Sequence, residues 1–488
     1  MKLKKWIVPI ISGAYILLNC YALSREFIYL PLFSGALVLL YLLFFKVDIL
    51  IYLMALSTPF SYIFEDTKID IGVSVPSEII MISLTFLFFM RVLYDLKIDK
   101  NILRHPITLA IIGYLIWIFI TSITSEIPIV SFKFLASKIW FIVSCFFMVI
   151  ELIKKDTKRA LYYMNAYMLS LAVVVIIVTF KSAELGFSEH GMHWIQKPFY
   201  NDHTAYGAAV AFFLPFTVSF FFLPTNTKWQ RIYYFLIFLI LMVGLYFSFC
   251  RAAWLSIVAA LGVYLLIRWR IKFSWFVLGL ALFSGFFYFF ANDILYQLGK
   301  NKQDSSATFT EHLQSMGNIK TDASNVERLN RWVSAMGMIE ERPIVGWGPG
   351  TYQFVYAPFQ KNKYKTIITT NYGTGGNCHS EYIGPFAEMG ALGFISVFTL
   401  LIIILYTGIK TYLRSVDPYH KLLTLGATLA LITYYLHGVM NNFLDTDKLS
   451  LPFWGAFAII LVVNLIDIKK VNFSGQKITQ TEQHNLKN

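Results

Sequence analysis

The chain has 488 residues, of which 57% are hydrophobic, 17% aromatic and only 14% charged. A soluble domain usually carries about 25% charged residues, so this composition excludes a soluble enzyme, a disordered chain and a disulfide-stapled secreted scaffold, and leaves an all-α integral membrane protein. The net charge of +13 raises the question of nucleic acid, and the positions of the basic residues answer it below.

Apolar runs long enough to cross a bilayer recur near 6–23, 28–45, 48–64, 74–93, 106–124, 130–152 and 160–180, and again near 202–224, 230–249, 252–268, 273–291, 382–407, 421–438 and 450–467. They predict about 12–14 transmembrane helices. The organisation is a set of N-terminal membrane helices over 1–291, a large loop over 292–381, C-terminal membrane helices over 382–470 and a polar tail over 471–488. The tail is too polar to bury a core and is expected to be disordered. The leading lysines and apolar run resemble a signal peptide, but no small-residue cleavage site follows, so a first membrane span is the reading taken.

Placing the N-terminus inside puts Lys46, Arg91, Lys97, Lys100, Lys154, Lys155, Lys158, Arg159, Arg268, Arg270, Lys410, Arg414, Lys469 and Lys470 on the cytoplasmic side, while the short outer loops hold only Arg25, Lys68, Lys181, Lys197, Arg251 and Lys448. This asymmetry is the positive-inside pattern, with both termini cytoplasmic, and it accounts for the basic charge without nucleic acid. The four cysteines, Cys20, Cys145, Cys250 and Cys378, lack CxxC spacing and suggest neither a metal site nor a disulfide framework.

The loop at 292–381 is far longer than the other connections and lies on the outer face, a mark of function. Ser324-Asn325-Val326-Glu327 has the form of a capping box. It predicts a helix through Arg328, Trp332, Ala335, Met336 and Ile339, ended by Pro343. The apolar spacing gives that helix one greasy face, suited to lying on the membrane. Gly346-Trp347-Gly348-Pro349-Gly350 follows as a tight turn, and without the Lys-Ser/Thr of a P-loop its glycines serve the turn rather than a nucleotide.

Polar groups at membrane depth are costly and tend to be functional. Arg251 sits between two spans at the outer boundary, where basic residues are scarce. His379 stands where the long loop re-enters the membrane and can exchange a proton near neutral pH; Cys378 adjoins it, but chain neighbours rarely face each other, which disfavours thiol catalysis. Asp202, His203 and Tyr206 open a span and suit either sugar hydroxyls or, for Asp202, a helix N-cap. Glu381 and Asn441 are further polar groups at span ends. Asp445-Thr446-Asp447 is a short DxD triplet that could hold a cation. Glu388 and Glu78 are expected to pair with a buried base such as Lys138. The derived topology brings His203, Arg251, Arg328, His379 and Asp445 to one outer face. Arginine forks there suit pyrophosphate oxygens, and with no ATP on that side a substrate must bring its own leaving group.

Ser248-Phe249-Cys250-Arg251-Ala252-Ala253-Trp254 resembles the arginine motif of the O-antigen ligase/polymerase family. Arg328-Leu329-Asn330-Arg331-Trp332 with Pro343-Ile344-Val345-Gly346-Trp347-Gly348 resembles the start of that family's periplasmic loop. Asn377-Cys378-His379-Ser380-Glu381-Tyr382 and Glu388-Met389-Gly390-Ala391-Leu392-Gly393 resemble its histidine motif. The likeness covers roughly 198–460, and before 190 it extends to hydropathy alone.

The resemblance implies a GT-C-like glycosyltransferase of the bacterial cytoplasmic membrane, active on the periplasmic side. It would move a glycan from undecaprenyl pyrophosphate to an acceptor hydroxyl, with no metal or other cofactor. His379 would be the base that activates the acceptor, and Arg251, Arg328 and Arg331 would hold the pyrophosphate. Asp202, His203, Tyr206, Glu381 and Asn441 are possible substrate contacts. A ligase would use lipid A–core as acceptor, and a polymerase another lipid-linked repeat. From a different class, a transporter of the same lipid would show paired halves or helices broken at the midplane, which the sequence does not suggest. Ligases of the family are usually drawn with about twelve spans, fewer than the apolar runs found here.

Overall fold

The computed structural model describes residues 3–27, 29–66, 71–94, 99–187, 194–270, 323–365, 369 and 376–485. The span expected near 273–291 and residues 292–322 of the long loop lie outside the described residues.

The chain begins with α1 (Leu3–Ser24), α2 (Tyr29–Phe45) and α3 (Val47–Ser57), then a 3-10 turn at Thr58–Phe60 and a hairpin of β1 (Tyr62–Asp66) and β2 (Ile71–Val75). Next come α4 (Ser77–Tyr94), α5 (Lys100–Leu103), α6 (Pro106–Ile123) and α7 (Pro128–Lys155), the last with a π-helical turn at Val143–Phe147. The next helices are α8 (Lys158–Glu184), α9 (His203–Phe221), α10 (Lys228–Phe247) and α11 (Arg251–Arg268). The long loop holds α12 (Ala323–Glu341) and α13 (Tyr352–Val355), and α14 (Ile383–Arg414), α15 (Pro418–His437) and α16 (Asp447–Asn485) complete the chain.

Among the described residues nine helices are long and apolar enough to cross a membrane: α4, α6 to α11, α14 and the Asp447–Ile468 part of α16. The architecture is that of an all-α integral membrane protein, with helices satisfying their own backbone groups where lipid cannot. Two expectations are corrected. The run at 48–64 is not one span: α3 has 11 residues, about 16 Å of helix, and the chain then turns at Pro59 into the hairpin, whose register pairs Tyr62 with Val75 and Phe64 with Val73. The tail expected to be disordered continues α16 as far as Asn485.

The helices at the centre are α9 and α16, 78% and 83% buried over their apolar windows, while α11 is 17% buried and turns most of its surface outward. Sequence explains the difference. α9 carries Ala205, Gly207, Ala208, Ala209 and Ala211, small residues that let neighbouring backbones approach where lipid supplies no hydrophobic drive. α10 and α11 instead expose Leu236, Leu239, Leu255, Val258 and Leu261.

The bundle has two chemically different ends. At one, Lys154 pairs with Asp99 at 2.8 Å, Arg91 with Glu151 at 3.4 Å, Lys155 with Asp48 at 2.6 Å, and Arg159 with the same Asp48. These are basic residues that the charge asymmetry assigned to a single side. At the other end lie the hairpin, α12, the start of α9, α11, α14 and α16, and the end of α15, tied together by the contacts described next.

Candidate functional site

α12 is the platform of this end. Its apolar face is not spread on the membrane as expected: Ala335, Met338 and Ile339 are buried against Tyr352, Tyr356 and Ala387, while Met336 is left exposed. Packing on α13 and α14 removes this apolar face from water. The helix also starts no later than Ala323, so Ser324 is not its N-cap. Glu327 directs its carboxylate to Arg331 Nε at 2.7 Å and to the Thr369 hydroxyl instead of closing a capping box.

The Gly346–Gly350 turn fastens the loop to α14. Trp347 N donates to Ala387 O at 3.1 Å, Gly348 N to Glu388 O at 2.7 Å, and Ala391 N to Pro343 O at 2.9 Å. These bonds take up two carbonyls and one amide that α14 frees by breaking at Gly390, whose φ of +67° lies in the left-handed region. A Cβ on Gly390 would stand 2.0 Å from Ile344 O, and one on Gly346 2.4 Å from the Glu388 carbonyl. Glu388 accepts from Tyr352 N at 2.9 Å, so it holds the turn and does not pair with Lys138.

His379 lies just before α14, partly buried, with a φ of +53°. A left-handed non-glycine residue is strained and is kept by its surroundings; here Asn377 Oδ1 accepts from His379 N at 3.1 Å. Burial, followed by the positive charges of Arg328 and Arg331, pushes its pKa down to about 4, with Asp202 opposing. The ring is therefore neutral at pH 7 and carries a basic nitrogen. The same charges reach Cys250, the residue before Arg251: burial is the main cause that pushes its thiol up to about 11, and Arg328 and Asp202 act on it in opposite directions. Burial likewise raises the Cys378 thiol, so neither sulfur is a ready nucleophile. Arg251 opens α11, directly after Phe249, a second left-handed residue with φ +48°. The start of α11 is held close to α9, since a Cβ on Gly207 would lie 2.8 Å from Cys250 Cβ.

The other predicted residues separate by role. Asp202 is the N-cap of α9, its Oδ1 accepting from Thr204 N and Ala205 N, each at 2.8 Å, and from the Thr204 hydroxyl at 2.6 Å. Tyr206, expected as a substrate contact, belongs to the core: it is fully buried, edge-on to Tyr200, with Gly244 against its hydroxyl. Arg331 is fully enclosed by Glu327, the Gly376 carbonyl at 3.3 Å and the Tyr356 ring at 4.1 Å. Glu381 Oε1 accepts from Tyr434 Oη at 2.5 Å, Phe443 N at 2.9 Å and Leu444 N at 3.1 Å, which pins the connection between α15 and α16. Burial and the nearby Asp445 raise its carboxyl, with Lys138 and these bonds opposing.

The DxD triplet is split. Asp445 pairs with Lys138 at 2.8 Å. Asp447 is buried and accepts from the hydroxyls of Ser61 at 2.6 Å, Ser77 at 2.5 Å and Ser74 at 3.2 Å, with Lys448 at 3.6 Å. Glu78 accepts from Ser74 N at 3.3 Å rather than pairing with Lys138. Among the described residues no group of three His, Cys, Asp or Glu is placed to hold a metal ion.

Two features were not singled out in the sequence. A narrow cleft lies behind Glu381, lined by Lys138, Tyr434, Tyr435 and Trp454. His437, the last residue of α15, is fully buried with Asn441 Nδ2 3.1 Å from its Nε2. The charges of Arg328, Asp202 and His203 all reach its ring. A histidine closing an apolar span on the predicted outer face was the available signal.

Arg328, His379, His437, Asp202 and His203 thus form one electrostatic neighbourhood at one end of the bundle, with Arg251 next to Cys250 at its edge. It can hold an anion beside a neutral imidazole. No curated protein matches the chain. Residues 235–398, which carry Arg251, Arg328, Arg331, His379, Glu381 and Glu388, match the family model described as O-antigen ligase, so this segment of a multi-pass membrane protein is similar to that family.

Proposed function

We propose that the protein transfers a glycan from undecaprenyl pyrophosphate to an acceptor hydroxyl on the outer face of the bacterial cytoplasmic membrane, without metal or nucleotide. One observation carries this reading: a neutral, strained histidine, His379, shares an electrostatic neighbourhood with Arg328 inside the family segment. Arg328 and Arg251 hold the pyrophosphate, since guanidinium forks match its oxygens and stay charged at any working pH. Arg331 is committed to Glu327 and Tyr356, and its part is to position Arg328 and add positive charge.

His379 takes the acceptor proton as the acceptor oxygen bonds to the anomeric carbon. The bond from that carbon to the phosphate oxygen breaks, and undecaprenyl pyrophosphate leaves with inversion at the sugar. Stabilising the leaving group's charge is the larger contribution. The pKa of His379, near 4 with the guanidiniums facing it, rises when the pyrophosphate neutralises them, so the base strengthens once the donor is bound. Asp202, His203, Glu381 and Asn441 shape the site through α9 and the α15–α16 connection.

The test is purified protein supplied with undecaprenyl-pyrophosphate glycan, EDTA and a panel of acceptors. Product on lipid A–core marks a ligase, and extension of a second lipid-linked repeat marks a polymerase. Lipid movement in proteoliposomes with no product on any acceptor makes the protein a transporter and overturns the proposal.

A further inference from the structure

His437 lies outside the segment matched to the family, and its geometry is unusual. The ring is buried between two groups. Asn441 Nδ2 approaches Nε2 at 3.1 Å. The Phe443 ring packs at 5.7 Å between centroids, and Phe443 is itself anchored by its amide to Glu381 and to the Tyr434 hydroxyl. Because Asn441 donates to Nε2, the ring proton sits on Nδ1. Nδ1 is buried and has no hydrogen-bond partner among the described residues, although an unmet buried donor costs about 1–3 kcal/mol. The charges of Arg328, Asp202 and His203 converge on this ring. A donor fixed in orientation, buried and unspent beside an arginine is what an anionic oxygen requires.

We infer that His437 donates a hydrogen bond from Nδ1 to an oxygen of the pyrophosphate held by Arg328, and so acts in binding the donor lipid and not as a second base. The inference rests on the functional reading above and extends it to a residue outside the family segment. Asn441 and Phe443 act through His437 as positioning residues, the first by setting the tautomer and the second by setting the ring plane. Glu381, two residues from His379 in the chain, sets the Phe443 backbone and thereby couples the two histidines.

The test is binding of farnesyl pyrophosphate to the full-length protein in detergent, with Tm recorded for every variant. A side-chain amide of asparagine offers N–H near the position of Nδ1, and one of glutamine near Nε2. His437→Asn should bind within about threefold of the natural protein, while His437→Gln should bind about tenfold to a hundredfold more weakly, the range for losing a hydrogen bond to a charged group. Equal affinity in both variants, or equal loss in both, overturns the inference by assigning His437 to packing. Arg328→Ala separates the two levels: weakened binding there with no effect at His437 removes the inference and leaves the reading, whereas unchanged binding in Arg328→Ala removes both. If His437→Gln does not fold, Asn441→Leu serves instead. It frees the tautomer and should weaken binding, and unchanged affinity counts against the inference.

Discussion

Two polar clusters occupy the same end of the bundle, and they are built on opposite plans. Around Asp447, three serine hydroxyls close on the carboxylate, and Lys448 Nζ donates to Thr58 O at 2.5 Å and Ser61 O at 2.7 Å. Every charge has a partner, and α16, the hairpin and the α3 turn are stitched together. Around His379 and His437, positive charge is gathered beside two imidazole rings, one on a strained backbone and the other with a ring nitrogen that no described residue engages. Satisfied buried networks rigidify, whereas incompletely satisfied ones are kept where a ligand completes them. The difference separates scaffold from site more sharply than residue type does, since both clusters contain acids and bases.

Substitutions should divide along that line. Arg328→Ala and Arg251→Ala should each lower the turnover of transfer by about 10²–10³-fold, as for removal of one group that stabilises developing charge, while the Tm stays within a few degrees. Asp447→Asn should do the reverse. Leaving Lys448 buried without its counter-charge costs about 3–5 kcal/mol, so denaturation in detergent should show a large loss of stability while the folded fraction keeps its turnover. If Asp447→Asn instead stops transfer with stability intact, the division is wrong.

Gly390→Ala puts a methyl group 2.0 Å from Ile344 O on a left-handed backbone. It should cost about 1–3 kcal/mol and loosen the joint between the loop and α14, visible as faster proteolysis at the Gly346–Gly350 turn. The smallest effect is on pH dependence. His379 is the base when neutral, and its pKa is pushed down to about 4. Activity therefore persists as pH falls through the ordinary histidine range near 6.5, and kcat/KM should drop only near pH 4. The limb in kcat should lie higher, because bound pyrophosphate offsets the guanidiniums. A kcat/KM limb near 6.5 would remove the arginines from the surroundings of His379.

Much of this was legible in the sequence, for physical reasons. Apolar runs reported the nine long apolar helices among the described residues, and the uneven spread of basic residues along the chain pointed to a common end for Arg251, Arg328 and His379, because bilayer thickness and charge asymmetry act locally along the chain. What was illegible depends on distant partners. Tyr206 reads as a polar group at a span start, yet Gly244 from another helix covers it. Arg331 looks like Arg328 one turn on, yet Glu327 and Tyr356 enclose it. The DxD triplet reads as one unit, but Lys138 and the serines of the hairpin end pull its carboxylates apart. The break at Gly390 needs the glycine turn some forty residues earlier to receive its carbonyls, a pairing no hydropathy window reveals.

The most direct test of the account compares the natural protein with His379→Ala for glycan transfer from undecaprenyl pyrophosphate to a working acceptor, both purified, folded and in EDTA. The account predicts transfer by the natural protein and a fall of about 10²–10⁴-fold in the variant, the span associated with losing a general base, with farnesyl pyrophosphate binding retained. Transfer by His379→Ala at the natural rate would contradict it.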